Sequence, residues 1–389
     1  MTRSACSGRD ASGRAVSSGR RRRKIRYAVI GQGYISQVAV LPAFAHARRN
    51  SELAALVSDD PVKLKTLSRT YGVSRIGGYE DFDTLMASGE IDAVYIALPN
   101  SLHAHFTLRA ARHGVHVLCE KPMAMTVADC KRMIAGCRRH GVKLMIAYRL
   151  HFERANLTAI ETVRAGTIGE PRLFNSVFTL QVPDPANIRL RRETGGGTLY
   201  DIGIYCINAA RSLFRDEPTE VFAVTARKRL ARFRQVEEMT SGILRFPGER
   251  LAAFTCSFGA ARASAYEIAG TRGSLRVAPA FGLSEALHHT LTVDGHVRAR
   301  TFPKRDQFAP ELLYFSDCIL DGIEPEPSGR EGLIDVCIIE ALYRSAETGR
   351  AVKLPRLVKR TRPDPDQECH RPAVAKPRLV HAASPSGRH

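Results

Sequence analysis

An α/β fold in two parts is predicted for this chain: a doubly wound parallel sheet, followed by an α/β domain built on a large, mostly antiparallel open sheet. Three observations predict it. Short apolar runs alternate with helical periodicities from Arg26 to Ala147; a pair of glycines stands where the first run ends; and after Tyr148 longer alternating segments are joined by hairpin signals. Regular alternation of strand and helix means a parallel sheet with right-handed crossovers. Alternation within segments joined by turns means antiparallel pairing.

Taken in order, Arg26–Ile30 reads as a strand and is followed by helical periodicity to about Ala47. Leu53–Val57 is a second strand, and Pro61–Tyr71 a helix with proline in its first turn. Ile91–Leu98 is nearly all apolar, as expected of a strand covered on both faces. Ala104–His113 and Val127–His140 read as helices, and Val115–Cys119 and Lys143–Ala147 as strands. Beyond a helix at Arg154–Ala165, strands are expected at Arg172–Gln181, Glu220–Ala226, Gly242–Phe246, Ala252–Ser257, Tyr266–Ala269, Gly273–Val277 and His289–Val293. Pro247-Gly248 and Asp294-Gly295 mark turns. The helix Tyr200–Leu213 is expected to cover one sheet face. Helices near Pro310–Leu320 and Glu331–Thr348 follow, the last ended by Gly349. The predicted division is a disordered basic tail over 1–25, a dinucleotide-binding domain over 26–148, a substrate and oligomerisation domain over 149–353, and a disordered basic tail over 354–389.

The 389 residues are 44% hydrophobic and 25% charged, with a formal net charge of +19. The charge is concentrated at the two ends, so it argues against nucleic acid as the main partner. The nine cysteines are scattered, with no C-x-x-C pair and no metal-like spacing with histidine. They read as reduced thiols of a cytoplasmic protein. His103 and His105 lack the partners of a metal site, and no metal is expected. No stretch has the length of a membrane span. An open sheet with one face free of helices is expected to form a homo-oligomer through that face.

The first strand runs into Gly31-Gln32-Gly33-Tyr34-Ile35-Ser36. Two glycines allow a tight turn and close approach of a pyrophosphate, and the N–H groups of the following helix supply donors, so the first domain reads as a Rossmann domain. At the end of the second strand, Ser58 in the ribose-facing place would accept a 2′-phosphate, with Lys63 to balance it. Asp59 in that place would favour NAD. NADP is the expected cofactor, with NAD the alternative; Lys63 can also be read as a solvated helix residue.

Two further motifs carry chemistry. Glu120-Lys121-Pro122 follows the fourth strand, at the end of the sheet where ligands bind. A lysine there can polarise a hydroxyl or stand as a loop residue. Gly195-Gly196-Gly197 precedes Asp201 and Tyr205, which lie four apart and share a helix face. An acid beside a phenol suits sugar binding and proton transfer, and a nearby lysine cation favours that role. A helix-capping Asp and a core Tyr would be the structural alternative.

At these residues, with Leu98-Pro99-Asn100-Ser101-Leu102-His103, Tyr148-Arg149 and Arg189-Leu190-Arg191-Arg192-Glu193, the chain resembles the Gfo/Idh/MocA oxidoreductases, and within them the glucose–fructose oxidoreductase branch. The resemblance spans roughly 26–353 and implies a homodimer or homotetramer through the open sheet of the second domain. It implies Lys121 as catalytic lysine, Tyr205 as acid/base and Asp201 as the residue that binds a sugar hydroxyl, with Tyr148 and Arg192 also beside the substrate. It places Ser58 and Lys63 at the 2′-phosphate. Tyr34, Ile35, Tyr79, Leu98, Asn100, His103, Glu120, Lys121, Arg149, Ala186 and Arg189 fall against the cofactor. The implied reaction is hydride transfer between C1 of a cyclic aldose and NADP. The same chemistry on an anhydro-sugar or dihydrodiol, and a dinucleotide-binding regulator without turnover, are the alternatives. The chain departs from the branch at Ile188, where the founding member has Trp, and in lacking a recognisable N-terminal arm. A dehydrogenase that releases its cofactor therefore stands beside glucose–fructose dismutation.

Overall fold

The computed structural model describes residues 23–356, 358–359 and 361–387; the N-terminal tail up to residue 22 lies outside the described residues. Six parallel strands form the first sheet: β1 (Ile25–Ile30), β2 (Ser51–Val57), β3 (Arg75–Gly77), β4 (Ala93–Ile96), β5 (His116–Glu120) and β6 (Leu144–Ala147). Their order is β3-β2-β1-β4-β5-β6, so strand order reverses between β1 and β4. A crevice opens at such a switch point beyond the carboxyl ends of the strands. The turns after β1 and β4 flank it.

The crossovers carry α1 (Leu41–Ala43), α2 (Pro61–Tyr71), α3 (Phe82–Ala87), α4 (His103–Arg112) and α5 (Val127–Arg139). The first is shorter than its periodicity predicts: Ser36–Val40 is wound in π geometry, runs into α1, and gives way to turns. α2 keeps its predicted bounds because both ends are capped. Asp60 accepts from the N–H groups of Val62 and Lys63 at 2.9 and 3.0 Å, and Gly72 takes a left-handed conformation with φ 67°.

The second sheet has nine strands: β7 (Pro171–Thr179), β8 (Glu220–Ala226), β9 (Met239–Phe246), β10 (Arg250–Ser257), β11 (Ala263–Gly270), β12 (Gly273–Val277), β13 (Leu287–Val293), β14 (His296–Phe302) and β15 (Val352–Lys353). Only the β7–β10 pairing is parallel. α6 (Arg154–Arg164), α7 (Ile204–Phe214) and α9 (Gly329–Thr348) pack on one face. The other face carries exposed Leu173, Phe222, Val224, Ile243 and Leu251.

α8 (Ala309–Asp321) follows the second sheet in the chain but covers the first. Leu312, Leu313 and Phe315 join a core with Tyr27, Leu56, Tyr95 and Met145, and the hydroxyl of Tyr27 lies 2.8 Å from Ser316 Oγ. The first sheet is therefore sandwiched by helices from both parts of the chain.

The C-terminal residues differ from the disordered tail expected beyond 354. Lys359 pairs with Glu326 and Glu331, Arg362 with Glu217 at 2.8 Å, and Arg371 donates to the carbonyl of His46 at 3.0 Å. Further on, Val380 is held by Gln37 and His381 by Asp60. A basic, proline-rich segment reads as solvated, but here its charges meet buried acids.

Candidate active site

The glycine turn after β1 is built for close approach. Gly31 has φ 90°, and a Cβ there would lie 2.6 Å from the carbonyl oxygen of Ala97, so only glycine fits. Gly33 faces open space, with no atom within 4 Å of where a Cβ would stand. That gap, with the N–H groups of Tyr34 and Ile35 at the helix start, fits a pyrophosphate. At the end of β2, Ser58 is buried with its hydroxyl 3.2 Å from the N–H of Asp60, whereas Asp59 is exposed. Lys63 Nζ lies 3.9 Å from Asp60. Ser58 rather than Asp59 thus takes the inward place, which suits a 2′-phosphate better than a free 2′-hydroxyl. Tyr79 packs edge-on against Phe106, and its phenol is pushed up to about 12, by burial first and then by the charge of Asp59.

The loop after β5 and the glycine loop before α7 meet below this crevice. Lys121 Nζ donates to the backbone carbonyl of Asp201 at 2.9 Å and stands 3.6 Å from its carboxylate. Arg189 Nε binds the other carboxylate oxygen at 2.7 Å. Burial pushes the Asp201 carboxyl up, but the charges of Arg189 and Lys121 outweigh it and hold the group below its ordinary range. Tyr205 completes the group: Lys121 Nζ lies 5.0 Å and Arg149 Cζ 5.2 Å from its ring centre, and Arg149 reaches its hydroxyl at 3.4 Å. Phe178 and Phe281 flank the ring at 5.5 and 5.8 Å.

Local winding sets this arrangement. Leu199–Gly203 is in π geometry before α7 begins, a widening of the turn common at functional sites. Gly197, with φ 124°, admits no side chain, since a Cβ would lie 2.4 Å from the Tyr343 hydroxyl. That hydroxyl and Thr198 Oγ1 both donate to Glu237, at 2.9 and 2.7 Å. Asn100 ties the β4 turn to the same loop by donating to the carbonyl of Gly195 at 2.8 Å.

The structure brings Lys121, Asp201 and Tyr205 together, with Arg149 and Arg189 around them. Arg189, expected on the nucleotide, is engaged by Asp201. His103 is fully buried, its nitrogens each 2.9 Å from the carbonyls of Pro122 and Leu98, so it clamps the β4 and β5 loops instead of lining the crevice. Glu120 is buried, accepts from the Tyr95 hydroxyl at 2.9 Å, and is raised in pKa by burial against the opposing charge of Lys121. Leu98 is buried beside Gly31. Tyr148 spends its hydroxyl on Asp335 at 2.7 Å. Ala186 is exposed on the loop before Ile188–Leu190, and Arg192 is exposed on the turn Arg192–Thr194. Phe178, Phe281, Glu237 and Gln307, the last accepting from Arg149, were not foreseen. Phe178 could have been found from the alternation along β7.

A cavity partly open to solvent adjoins the group and is lined by Lys121, Tyr148, Arg149, Tyr205, Asn208 and Tyr266, among others. Among the described residues no cluster of His, Cys, Asp or Glu could hold a metal.

Comparisons with known proteins place the fold in a family. An oxidoreductase family with an NAD-binding Rossmann fold, GFO/IDH/MocA, matches residues 25–148, and the GFO/IDH/MocA C-terminal domain matches 156–276. The chain is 35% identical over 336 residues to a D-xylose 1-dehydrogenase [NADP(+)] of Haloarcula marismortui, covering 85% of this chain and 93% of that one. An aldose-aldose oxidoreductase from Caulobacter crescentus, solved with glycerol, superposes with a TM-score of 0.82 at 42% identity, covering 85% of this chain and 100% of the other. A 3-ketoreductase from Actinomadura kijaniata, solved with NADP and TDP-benzene, superposes at 0.76 with 28% identity, covering 83% and 98%. The chain belongs to the Gfo/Idh/MocA family of oxidoreductases.

Proposed function

We propose that the chain is an NADP-dependent sugar oxidoreductase that interconverts a cyclic aldose and its lactone. The observation that carries this reading is the meeting of Lys121, Asp201 and Tyr205 beyond the carboxyl end of β5, beside a cavity partly open to solvent. When bound, NADP supplies the hydride acceptor at C1. The Tyr205 oxygen takes the C1 hydroxyl proton while C1 becomes the lactone carbonyl; in reverse it returns that proton. The Lys121 and Arg149 cations stabilise negative charge on the phenol oxygen. Asp201, held by Arg189 and Lys121, accepts a hydrogen bond from a neighbouring sugar hydroxyl. Ser58 and Lys63 hold the 2′-phosphate. A regulator that binds dinucleotide without turnover has no use for this group.

The test is reduced-nicotinamide absorbance with NADP and a panel of aldoses that includes xylose and glucose, and with NADPH and 1,5-anhydrofructose in the reverse direction. Turnover is expected with an aldose and NADP. No turnover with any aldose, but oxidation of NADPH by anhydrofructose, would move the site to that substrate class.

The apolar outer face of the second sheet supports a homodimer or homotetramer. Leu251 pairs with Leu173, and Ile243 with Phe222, so these side chains form one patch across four strands. Light scattering after size exclusion is expected to show an oligomer that I243E with L251E converts to monomer. A native monomer at micromolar concentration would refute this. The eight described cysteines are all free thiols, which supports a reducing, cytoplasmic setting, and no described helix is long and apolar enough to cross a membrane.

A further inference from the structure

We propose that the C-terminal segment Val380–Gly387 is part of the nucleotide site and acts as a strap that retains the cofactor. This rests on the reading of the crevice at Gly31–Gly33 and Ser58 as the NADP site.

The strap is fastened to the two elements that would hold the adenosine half of the nucleotide. Gln37, in the π-wound turn after the glycines, grips the backbone of Val380 at both ends of its amide: Nε2 donates to the Val380 carbonyl, and Oε1 accepts from its N–H, each at 2.8 Å. The grip is rigid, because Gln37 is buried and its Nε2 also donates to the carbonyl of Gln32, the residue between the two glycines, at 2.9 Å. Val380 packs with Ile35 and Ala97 on the core beneath that turn. One residue on, His381 Nδ1 lies 2.8 Å from Asp60, two residues beyond Ser58 and within 3.9 Å of Lys63.

The far end reaches the other wall. Gly387 stands against Pro183, where a Cβ added to it would lie 3.3 Å from the proline ring. Pro183 lies on the loop that leads to Arg189 and so to Asp201. The eight residues Val380–Gly387 therefore link the glycine turn and the end of β2 to the loop before Arg189, a path that would cross the mouth of the crevice. Upstream, Arg371 is fixed between the carbonyl of His46 and the N–H of Asp306, and Glu368 pairs with Arg305 at 3.2 Å. A chain anchored on both sides costs less entropy to hold across the site than a free tail.

The chemistry at His381 fits a 2′-phosphate. Asp60 alone would set a carboxylate near that phosphate; Lys63 Nζ lies 3.9 Å from the carboxylate, and His381 Nδ1 stands within hydrogen-bond distance of it at 2.8 Å. NADP bound beneath the strap can leave only if Val380 or His381 lets go.

The test uses the full-length chain with V380P, which removes the N–H that Gln37 accepts, combined with H381A. Bound NADPH is chased with excess NADP, and its release is followed by nicotinamide fluorescence. The double variant is expected to release NADPH at least tenfold faster, with H381A alone intermediate and the melting temperature of both within about 2 °C of the parent. Unchanged release from the double variant would overturn the strap. Faster association with unchanged release would also overturn it, by showing that the segment competes with the nucleotide. NADPH that binds neither parent nor variant would remove the site itself, a failure of the cofactor reading that sugar turnover does not enter.

Discussion

Tyr205→Phe is expected to lower kcat by about two to four orders of magnitude while leaving nucleotide affinity within about threefold, because proton transfer by a positioned side chain contributes factors of that size. The substitution is narrow. Phenylalanine keeps the ring contacts with Phe178 and Phe281 and the cations over the ring face, and loses only the hydroxyl that Arg149 reaches. Stability should therefore change little. Lys121→Met should cost as much in kcat, since it removes the cation 5.0 Å from the ring and the donor to Asp201. If the two residues act as one unit, the double variant will be only slightly worse than either single one. Steady-state kinetics on the best aldose decide the matter. A Tyr205→Phe enzyme within threefold of the parent would remove Tyr205 as the acid/base, and fully additive losses would mean that Lys121 acts apart from it.

The parts of the fold that were legible are those whose burial is local and periodic. β4 is apolar along its whole length because helices cover both faces, and α2 carries its own stop signals in Asp60, Pro61 and Gly72. β14 was missed because six of its seven residues are exposed, which leaves no alternation to read. β3, with three residues, is too short to show a period. In the site, the meeting of Lys121, Asp201 and Tyr205 could be anticipated, since each lies in a motif placed by a strand end or a helix start. What individual polar atoms do was not legible. Tyr148 turns its hydroxyl to Asp335, His103 its ring to two carbonyls, and Arg189 its guanidinium to Asp201. Each choice depends on a partner brought by another element, and chain order does not encode that distance. The C-terminal segment is the extreme case, because its basic residues read as solvated until the acids that receive them are in place.

Those acids make Arg211 the position where the largest loss of stability is expected. Its side chain is fully buried and binds Glu217, Glu331 and Asp335, with Glu331 at 2.7 Å. Lys359 adds a second cation at Glu331 and Glu326, and His151 faces Glu326 at 3.1 Å. Burial pushes Glu326, Glu331 and Asp335 up. At Glu331 the Arg211 and Lys359 charges outweigh it and hold the group well down, and at Glu326 His151 and Lys359 bring it to about 2. Asp335 stays raised, burial prevailing over Arg211. Arg211→Ala leaves several carboxylates buried without their main cation, and breaking such a pair from one side costs about 3–5 kcal/mol. Thermal or urea unfolding at pH 7.5 should show a loss of that size. The pH dependence follows from the depressed acids. Their contribution is complete above the ordinary carboxylate range, near 4.5, and is lost as pH falls through the lower folded values. The gap between parent and variant should therefore narrow below about pH 4.5, as protonation removes the charge that Arg211 was needed to balance. Restoring neutrality with Glu331→Gln in the Arg211→Ala background should recover part of the loss at pH 7.5. A variant within about 1 kcal/mol of the parent at pH 7.5 would mean that Lys359 and Arg362 suffice. The network also bears on catalysis, because Asn208 and Tyr148 line the cavity beside Tyr205 and bind Asp335 from the other side. Activity in Arg211→Ala should fall at temperatures where the variant is still folded, through KM for the sugar more than through nucleotide affinity.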